Sequence, residues 1–296
     1  MMYTDVVLNK YGFYTLKNHP ADEERKAYYR NQYYQDNKAT YTSEYANSEL
    51  DFINIKLEQK LLLIEKHLSL SPTCSFLDIG CGEGFAVSFF KKRGFTVLGL
   101  DYSSAGIKNH NLDVLDDAII GDVYDSITNL VTSSKCFDIV NMDNVLEHVT
   151  APKELLELVY KVLTKNGIII IKVPNDFSVL QHYFIENKIA SKPHWVAPLD
   201  HISYFNKEGL INLSNAVGFK CIDFLSDQMI EFSALNPNTN YFENKNVGKS
   251  CHFARVAQEN IFHKISPQKT IEMYRILGSM GLGWEIIGIF AKEQSP

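Results

Sequence analysis

The stretch Phe76 to Gly84 reads Phe-Leu-Asp-Ile-Gly-Cys-Gly-Glu-Gly, and it constrains this chain more than any other. A short apolar run ends at Asp78, glycines alternate at Gly80, Gly82 and Gly84, and a helical periodicity starts at once with Phe85, Ala86, Val87, Phe89 and Phe90. That is a strand, a tight turn without side chains and the start of a helix. Glycines there let the backbone approach a ligand that a Cβ would repel. The helix start adds unpaired N–H groups and a partial positive charge.

The rest of the chain continues the alternation. Strands are expected over 75–79, 96–101, 118–122, 137–142 and 167–173, with helices over 84–93, 104–110 and 152–163 between them. Such alternation implies right-handed crossovers and a parallel sheet covered on both faces, an α/β fold. Ile168-Ile169-Ile170-Ile171 is what a strand buried on both faces requires. A sixth strand is expected over 219–225 and a last one over 285–292. The domain boundaries read as a helical N-terminal extension or lid (1–70), a core (71–225), a helical insertion that could cap an acceptor (226–283), and a final core strand and tail (284–296). The extension carries Tyr28, Tyr29, Tyr33, Tyr34, Tyr41 and Tyr45, expected on one or two helices, and an amphipathic helix over 51–70 closed by Pro72. The insertion is expected to hold helices over 253–265 and 267–280 after an Asn- and Pro-rich loop.

The net charge of −6 argues against a general nucleic-acid binder, which would carry a basic face. No apolar run approaches the roughly 20 residues that span a bilayer. The start, Met-Met-Tyr-Thr-Asp-Val, shows no signal peptide. Cys74, Cys81, Cys136, Cys221 and Cys251 form no C-x-x-C pair and read as reduced thiols, so a cytoplasmic location is expected.

The glycine turn has two main readings. A dinucleotide fold would show G-x-G-x-x-G, but here the third glycine comes one residue early and Asp78 precedes the first. A pyrophosphate disfavours an added carboxylate; a cationic head group does not. Asp101 ends the second strand, where a carboxylate can accept from both hydroxyls of a ribose. Asp122, followed by Val123, ends the third, where it can meet an adenine amino group beside an apolar clamp. Three acids at successive strand ends match a nucleoside with a positive amino-acid tail. The competing reading is that Asp101 and Asp122 cap the helices that follow.

On these motifs the chain resembles class I S-adenosylmethionine-dependent methyltransferases over residues 75–225 and the last strand. The resemblance implies a Rossmann-like seven-stranded sheet of order 3-2-1-4-5-7-6, with the final strand antiparallel. It implies S-adenosyl-L-methionine as cofactor, with S-adenosyl-L-homocysteine as product, held by Asp78, Gly80, Gly82, Gly84, Asp101, Tyr102, Ser103, Asp122, Val123 and Asp143. The segment Phe137 to Val149 resembles the fourth-strand motif of small-molecule methyltransferases; the Asn/Asp-Pro-Pro-aromatic motif of nucleic-acid amino-methyltransferases is absent. Tyr11-Gly12-Phe13-Tyr14, Asp200-His201-Ile202-Ser203-Tyr204-Phe205 and the stretch Gly248 to Arg255 resemble O-methyltransferases of bacterial capsule and lipopolysaccharide gene clusters. That narrower resemblance implies a small polar acceptor, a sugar nucleotide or a phosphorylated precursor. N- or C-methylation of a related sugar, a quinone-type O-methyltransferase, and a cofactor-binding subunit without turnover are the alternatives.

A hydroxyl acceptor must lose its proton, and histidine is the default base. His201, beyond the fifth strand, and His148, after the fourth, are the candidates, with His194 third. Glu147-His148 matches part of the Glu-x-x-Glu-His metal site of some quinone-pathway enzymes, but Asn144 replaces its first acid, so no metal is expected. Lys249, His252 and Arg255 are the residues that would grip an acceptor phosphate, or else form a solvated basic turn.

Overall fold

The computed structural model describes residues 5–19, 44–71, 73–198, 200–227 and 229–293. In chain order its elements are β1 (Val6–Leu8), β2 (Tyr14–Leu16), α1 (Asn47–His67), β3 (Ser75–Ile79), α2 (Phe85–Lys91), β4 (Thr96–Asp101), α3 (Ala105–His110), β5 (Ala118–Ile120), α4 (Val123–Thr132), β6 (Phe137–Asp143), α5 (Pro152–Val162), β7 (Leu163–Pro174), α6 (Val179–Glu186), β8 (Ser203–Tyr204), α7 (Lys207–Asn215), β9 (Phe219–Ser226), α8 (Gly248–Ile265), α9 (Pro267–Ser279) and β10 (Glu285–Lys292).

Seven strands form one sheet in the order β5-β4-β3-β6-β7-β10-β9. β3 pairs in parallel with β4 and β6, while β10 runs antiparallel between β7 and β9. This is the order and the antiparallel insertion expected from the sequence. Side-chain alternation divides the core into two layers. Leu77, Ile79, Ile169 and Ile171 pack with Ile127, Leu130, Leu155, Leu156, Leu210 and Leu213 of α4, α5 and α7. Phe76, Ile168 and Ile170 pack on the other face with Leu63 and Ile64 of α1, Phe89 and Phe90 of α2, and Ile271 and Tyr274 of α9. The isoleucine run of β7 is fully or almost fully buried along its length, because both faces are covered.

Three departures matter. The described part of the N-terminal extension is not wholly helical: β1 and β2 form a hairpin that pairs with β8, and these strands are too short for an alternating pattern to reveal. Helices α6 and α7 were not anticipated, and α4 only as the helix that Asp122 would cap. The helix expected over 51–70 begins at Asn47, ends at His67, and Pro72 lies outside the described residues. Tyr28, Tyr29, Tyr33, Tyr34 and Tyr41 also lie outside them. Tyr45 is described, and its hydroxyl donates to Glu83 Oε1 at 2.8 Å.

The insertion is held down by charge. Glu259, fully buried on α8, pairs with Lys56 of α1, accepts from Tyr274 at 2.8 Å and faces Arg255 at 3.3 Å. His252 bonds Glu49 at 3.1 Å. The expected phosphate grip is therefore corrected for these two residues: His252 and Arg255 face α1 and are engaged in tying α8 to it.

Candidate functional site

Where the parallel strands end, the chain leaves a cavity of about 840 Å³. Such a crevice, beyond the carboxyl ends of the strands, is where open α/β sheets bind ligands. Of the expected site residues, Gly80, Gly82, Asp101, Tyr102, Asp122, Val123, Asp143, His148 and His201 line it, and so does His194. Asp78, Gly84 and Ser103 are not among its lining residues.

The glycine turn forms one side. Gly80 has φ +71°, and a Cβ there would lie 2.4 Å from Val145 Cγ2, so only glycine fits. Gly82 donates its N–H to Asp101 Oδ2 at 2.8 Å, and Ser103 donates its N–H to Asp101 Oδ1 at 2.9 Å. Asp101 thus fastens the turn after β3 to the turn after β4 while facing the cavity. Asp122 is both a cap and a lining residue. Its Oδ1 caps α4, accepting from Tyr124 N at 2.9 Å and Asp125 N at 3.3 Å, and the residue lines the cavity.

Asp78 is 4% exposed and accepts from Asn141 Nδ2 at 2.6 Å. Burial pushes its carboxyl up to about 7, against the pull of the Asn141 hydrogen bond and the Lys60 charge. Lys60 reaches in from α1 and donates to Asn141 Oδ1 and to Asp143 Oδ2, both at 2.6 Å. Burial alone would raise the Asp143 carboxyl, but the charges of Lys60 and Lys172 bring it below the usual range. Lys60 escaped the sequence reading because it sits on an amphipathic helix where a lysine reads as a solvated face.

The two histidines meet at the other side. Ile202 and Ser203 donate their N–H groups to the Glu147 carbonyl at 2.8 and 3.1 Å, and Leu16 of the hairpin donates to the Ile202 carbonyl at 3.0 Å. This ladder brings the His201 loop across to the end of β6. The His148 and His201 rings lie edge to face with centroids 4.9 Å apart. His148 Nδ1 lies 2.7 Å from the Asp200 backbone carbonyl, which can only accept. That nitrogen therefore carries the hydrogen, and Nε2 carries the lone pair. Burial, with His148 beside it, lowers His201 to about 3, so it stays neutral near neutral pH. Glu147 is 1% exposed; neither of its carboxylate oxygens accepts a hydrogen bond, and burial raises it well above the usual range. One ligand atom from each of Glu147, His148 and His201 falls within 4.8 Å of the others. The sequence flagged Glu147 and His148 as part of a metal motif but not His201, because only the fold brings His201 to Glu147.

The far end holds residues the sequence reading did not select: Asp176, Gln181, Trp284 and Glu285, beside Trp195 and His194. Glu285 comes from the returning strand β10 and pairs with Lys172 at 3.2 Å. The signal for Asp176 was present: an acid just past the end of a doubly buried strand.

Comparison with known proteins bears on this geometry. Residues 32–223 match a family model described as a methyltransferase domain. A ubiquinone biosynthesis O-methyltransferase from Colwellia psychrerythraea is 26% identical over 153 residues, covering 50% of this chain and 61% of that protein. One from Caulobacter sp. is 34% identical over 103 residues, covering 33% and 40%. These matches span about two-fifths to three-fifths of the relatives' length. A solved S-adenosylmethionine-dependent methyltransferase from Archaeoglobus fulgidus superposes with a TM-score of 0.51 at 18% identity, covering 81% of this chain and 94% of that one. At that identity the likeness shows the fold alone.

Proposed function

This chain belongs to the methyltransferase-domain family, and from that premise we propose that it moves a methyl group from S-adenosylmethionine to a hydroxyl of a small, polar, sugar-like acceptor. The cofactor supplies a methyl carbon already activated by its sulfonium. The chain's residues must hold acceptor and methyl in line and remove the acceptor's proton. We assign the ribose hydroxyls to Asp101, the adenine end to Asp122 and Val123, and the close backbone approach to Gly80 and Gly82. Asp78 and Ser103 position that wall. Domain roles follow the same lines: the 71–225 core holds the cofactor, and the flanking regions shape the acceptor end.

The single observation that carries the hydroxyl reading is the Asp200 carbonyl on His148 Nδ1, which leaves Nε2 as the proton acceptor. His201, which the sequence ranked first, is the weaker base because burial depresses it. A phosphate or nucleotide on the acceptor, expected earlier, matches the cavity poorly. Among the described residues its lining holds Glu83, Asp101, Asp122, Asp143, Glu147, Asp176, Asp200 and Glu285 and no lysine or arginine.

Mass spectrometry of reactions with S-adenosylmethionine and a panel of sugars, aminosugars, sugar nucleotides and catechols tests this reading. A mass gain of one methyl on a sugar hydroxyl is expected. His148→Gln should lower kcat about 10²–10⁴-fold while S-adenosylhomocysteine affinity stays within about twofold. Methylation of catechols alone would favour the quinone-type chemistry named for the relatives. Cofactor binding with no acceptor methylated would favour a non-catalytic subunit.

A second reading is favoured by the convergence of Glu147, His148 and His201, a donor set suited to a divalent transition metal. Turnover after exhaustive chelation separates the two. Full activity keeps His148 as a base; loss restored by added zinc would make it a ligand.

A further inference from the structure

We propose that the far end of the cavity binds a protonated amino group of the acceptor, held by Asp176 and Gln181 beside the indoles of Trp195 and Trp284. The proposal deepens the methyltransferase reading above and rests on it: the same acceptor would offer a hydroxyl to His148 and an ammonium to this end.

The argument begins with unmatched hydrogen-bonding capacity. Asp176 and Gln181 are 3% and 2% exposed, and both line the cavity. Neither Asp176 Oδ2 nor Gln181 Oε1 has a hydrogen-bond partner. Gln181 turns one Nε2 hydrogen toward Glu231 Oε1 at 3.4 Å, and its amide also bonds the Asp176 carboxyl, which leaves its Oε1 and Asp176 Oδ2 open. Glu231, 1% exposed, backs the pair with a second acid whose Oε2 is also without a partner. Buried polar groups are stable when matched; Gln181 Oε1 is an acceptor as it stands, and the two carboxyls become acceptor-only when they ionise. Burial and the neighbouring Glu231 raise the Asp176 carboxyl well above the usual range, and burial takes Glu231 to about 8.

A ligand for this end must therefore bring hydrogen-bond donors. An anion would find no lysine or arginine among the described lining residues to receive it, and would oppose ionisation of the two carboxyls. A hydroxyl brings one donor but turns its own lone pairs toward the acids. An ammonium brings donors only, supplies the positive charge that lets the raised carboxyls ionise against it, and is attracted to the faces of indole rings. Chemistry thus favours an amino-alcohol or aminosugar over a neutral or phosphorylated sugar.

The chain has two tryptophans, Trp195 and Trp284, and both line the cavity, so its intrinsic fluorescence reports on this place. We would saturate the full chain with S-adenosylhomocysteine, then titrate glucosamine in its protonated form, glucose and glucose 6-phosphate. The expected result is a saturable change with glucosamine at a Kd at least tenfold below that for glucose, and none with glucose 6-phosphate in that range. Asp176→Asn should weaken glucosamine at least tenfold and leave S-adenosylhomocysteine affinity unchanged; Gln181→Leu serves the same purpose should the first variant misfold. Glucose or glucose 6-phosphate binding as tightly as glucosamine would overturn the proposal, as would undiminished binding to the variants. Failure of S-adenosylhomocysteine itself to bind would instead remove the methyltransferase reading of the site, and the proposal with it.

Discussion

Asp101 uses both carboxylate oxygens on backbone N–H groups, one from each of the two turns that frame the proposed cofactor end. Hydrogen bonds to a charged group contribute about 1.5–3 kcal/mol each. Asp101→Ala would lose both, and with them the carboxylate that faces the cavity. S-adenosylhomocysteine affinity, followed by calorimetry, should fall at least about tenfold; an unchanged Kd would remove Asp101 from the cofactor site. Asp78 makes the instructive contrast. In the sequence both are acids at the end of a buried strand, and periodicity says where a strand ends, not where its last side chain turns. The difference lies in Asn141 of a neighbouring strand, which bonds Asp78, and in Lys60 of a distant helix, which bonds that asparagine. Long-range partners of this kind leave no local mark, so the strand-end acids were legible while their separate roles were not. The same holds for His148, whose tautomer depends on a carbonyl from the far loop.

Among the elements, the sheet was legible because burial on both faces leaves unbroken apolar runs, as in β7. The β1–β2 hairpin was not, since its strands owe their stability to β8, far along the chain. Gly209 shows how tight that docking is: a Cβ on it would lie 2.6 Å from Phe13 Cβ. A glycine in the first turn and asparagines at 206, 212 and 215 also obscured α7, although Asn206 caps it by accepting from Gly209 N at 2.8 Å. The outer elements are tied together at Asp223 of β9. It accepts from Arg275 Nη2 of α9 at 2.7 Å, from His67 at 3.0 Å and from Lys66 at 3.1 Å, both at the end of α1. Burial opposes ionisation there, but these hydrogen bonds outweigh it and hold the carboxyl well below the usual range. A carboxyl depressed in the folded state adds stability above its unfolded value, near 4, and loses it as pH falls toward the folded value. Asp223→Asn should therefore cost about 2–3 kcal/mol at pH 7. In urea unfolding followed from pH 7 to below pH 4, the gap from the unmodified chain should narrow on acidification. A gap constant with pH would assign the loss to packing rather than charge.

At the scale of the whole molecule, the cavity draws on both ends of the described chain. Lys60 of α1 braces Asp143 on one side, Glu285 of β10 closes the other, and the hairpin fixes the His201 loop through Ile202. The proposed cofactor end is assembled from the ends of β3, β4 and β5, which meet only when the sheet has formed. A ligand that needs all of these binds the folded state and not the unfolded one, so its affinity must appear as global stability. At about 100 times its Kd, S-adenosylhomocysteine should add about 2.7 kcal/mol. For a chain of this length that is a rise in Tm of about 4 °C, readable by calorimetry. NADH, whose pyrophosphate would face Asp101 and Asp122 with no lysine or arginine among the described lining residues, should give no rise. Asp101→Ala should shrink the shift in step with its lost affinity, because a tenfold higher Kd at fixed ligand removes about 1.4 kcal/mol of the linkage. A shift of equal size with NADH, or one indifferent to Asp101→Ala, would mean that the stabilising ligand sits elsewhere than on the acids at these strand ends.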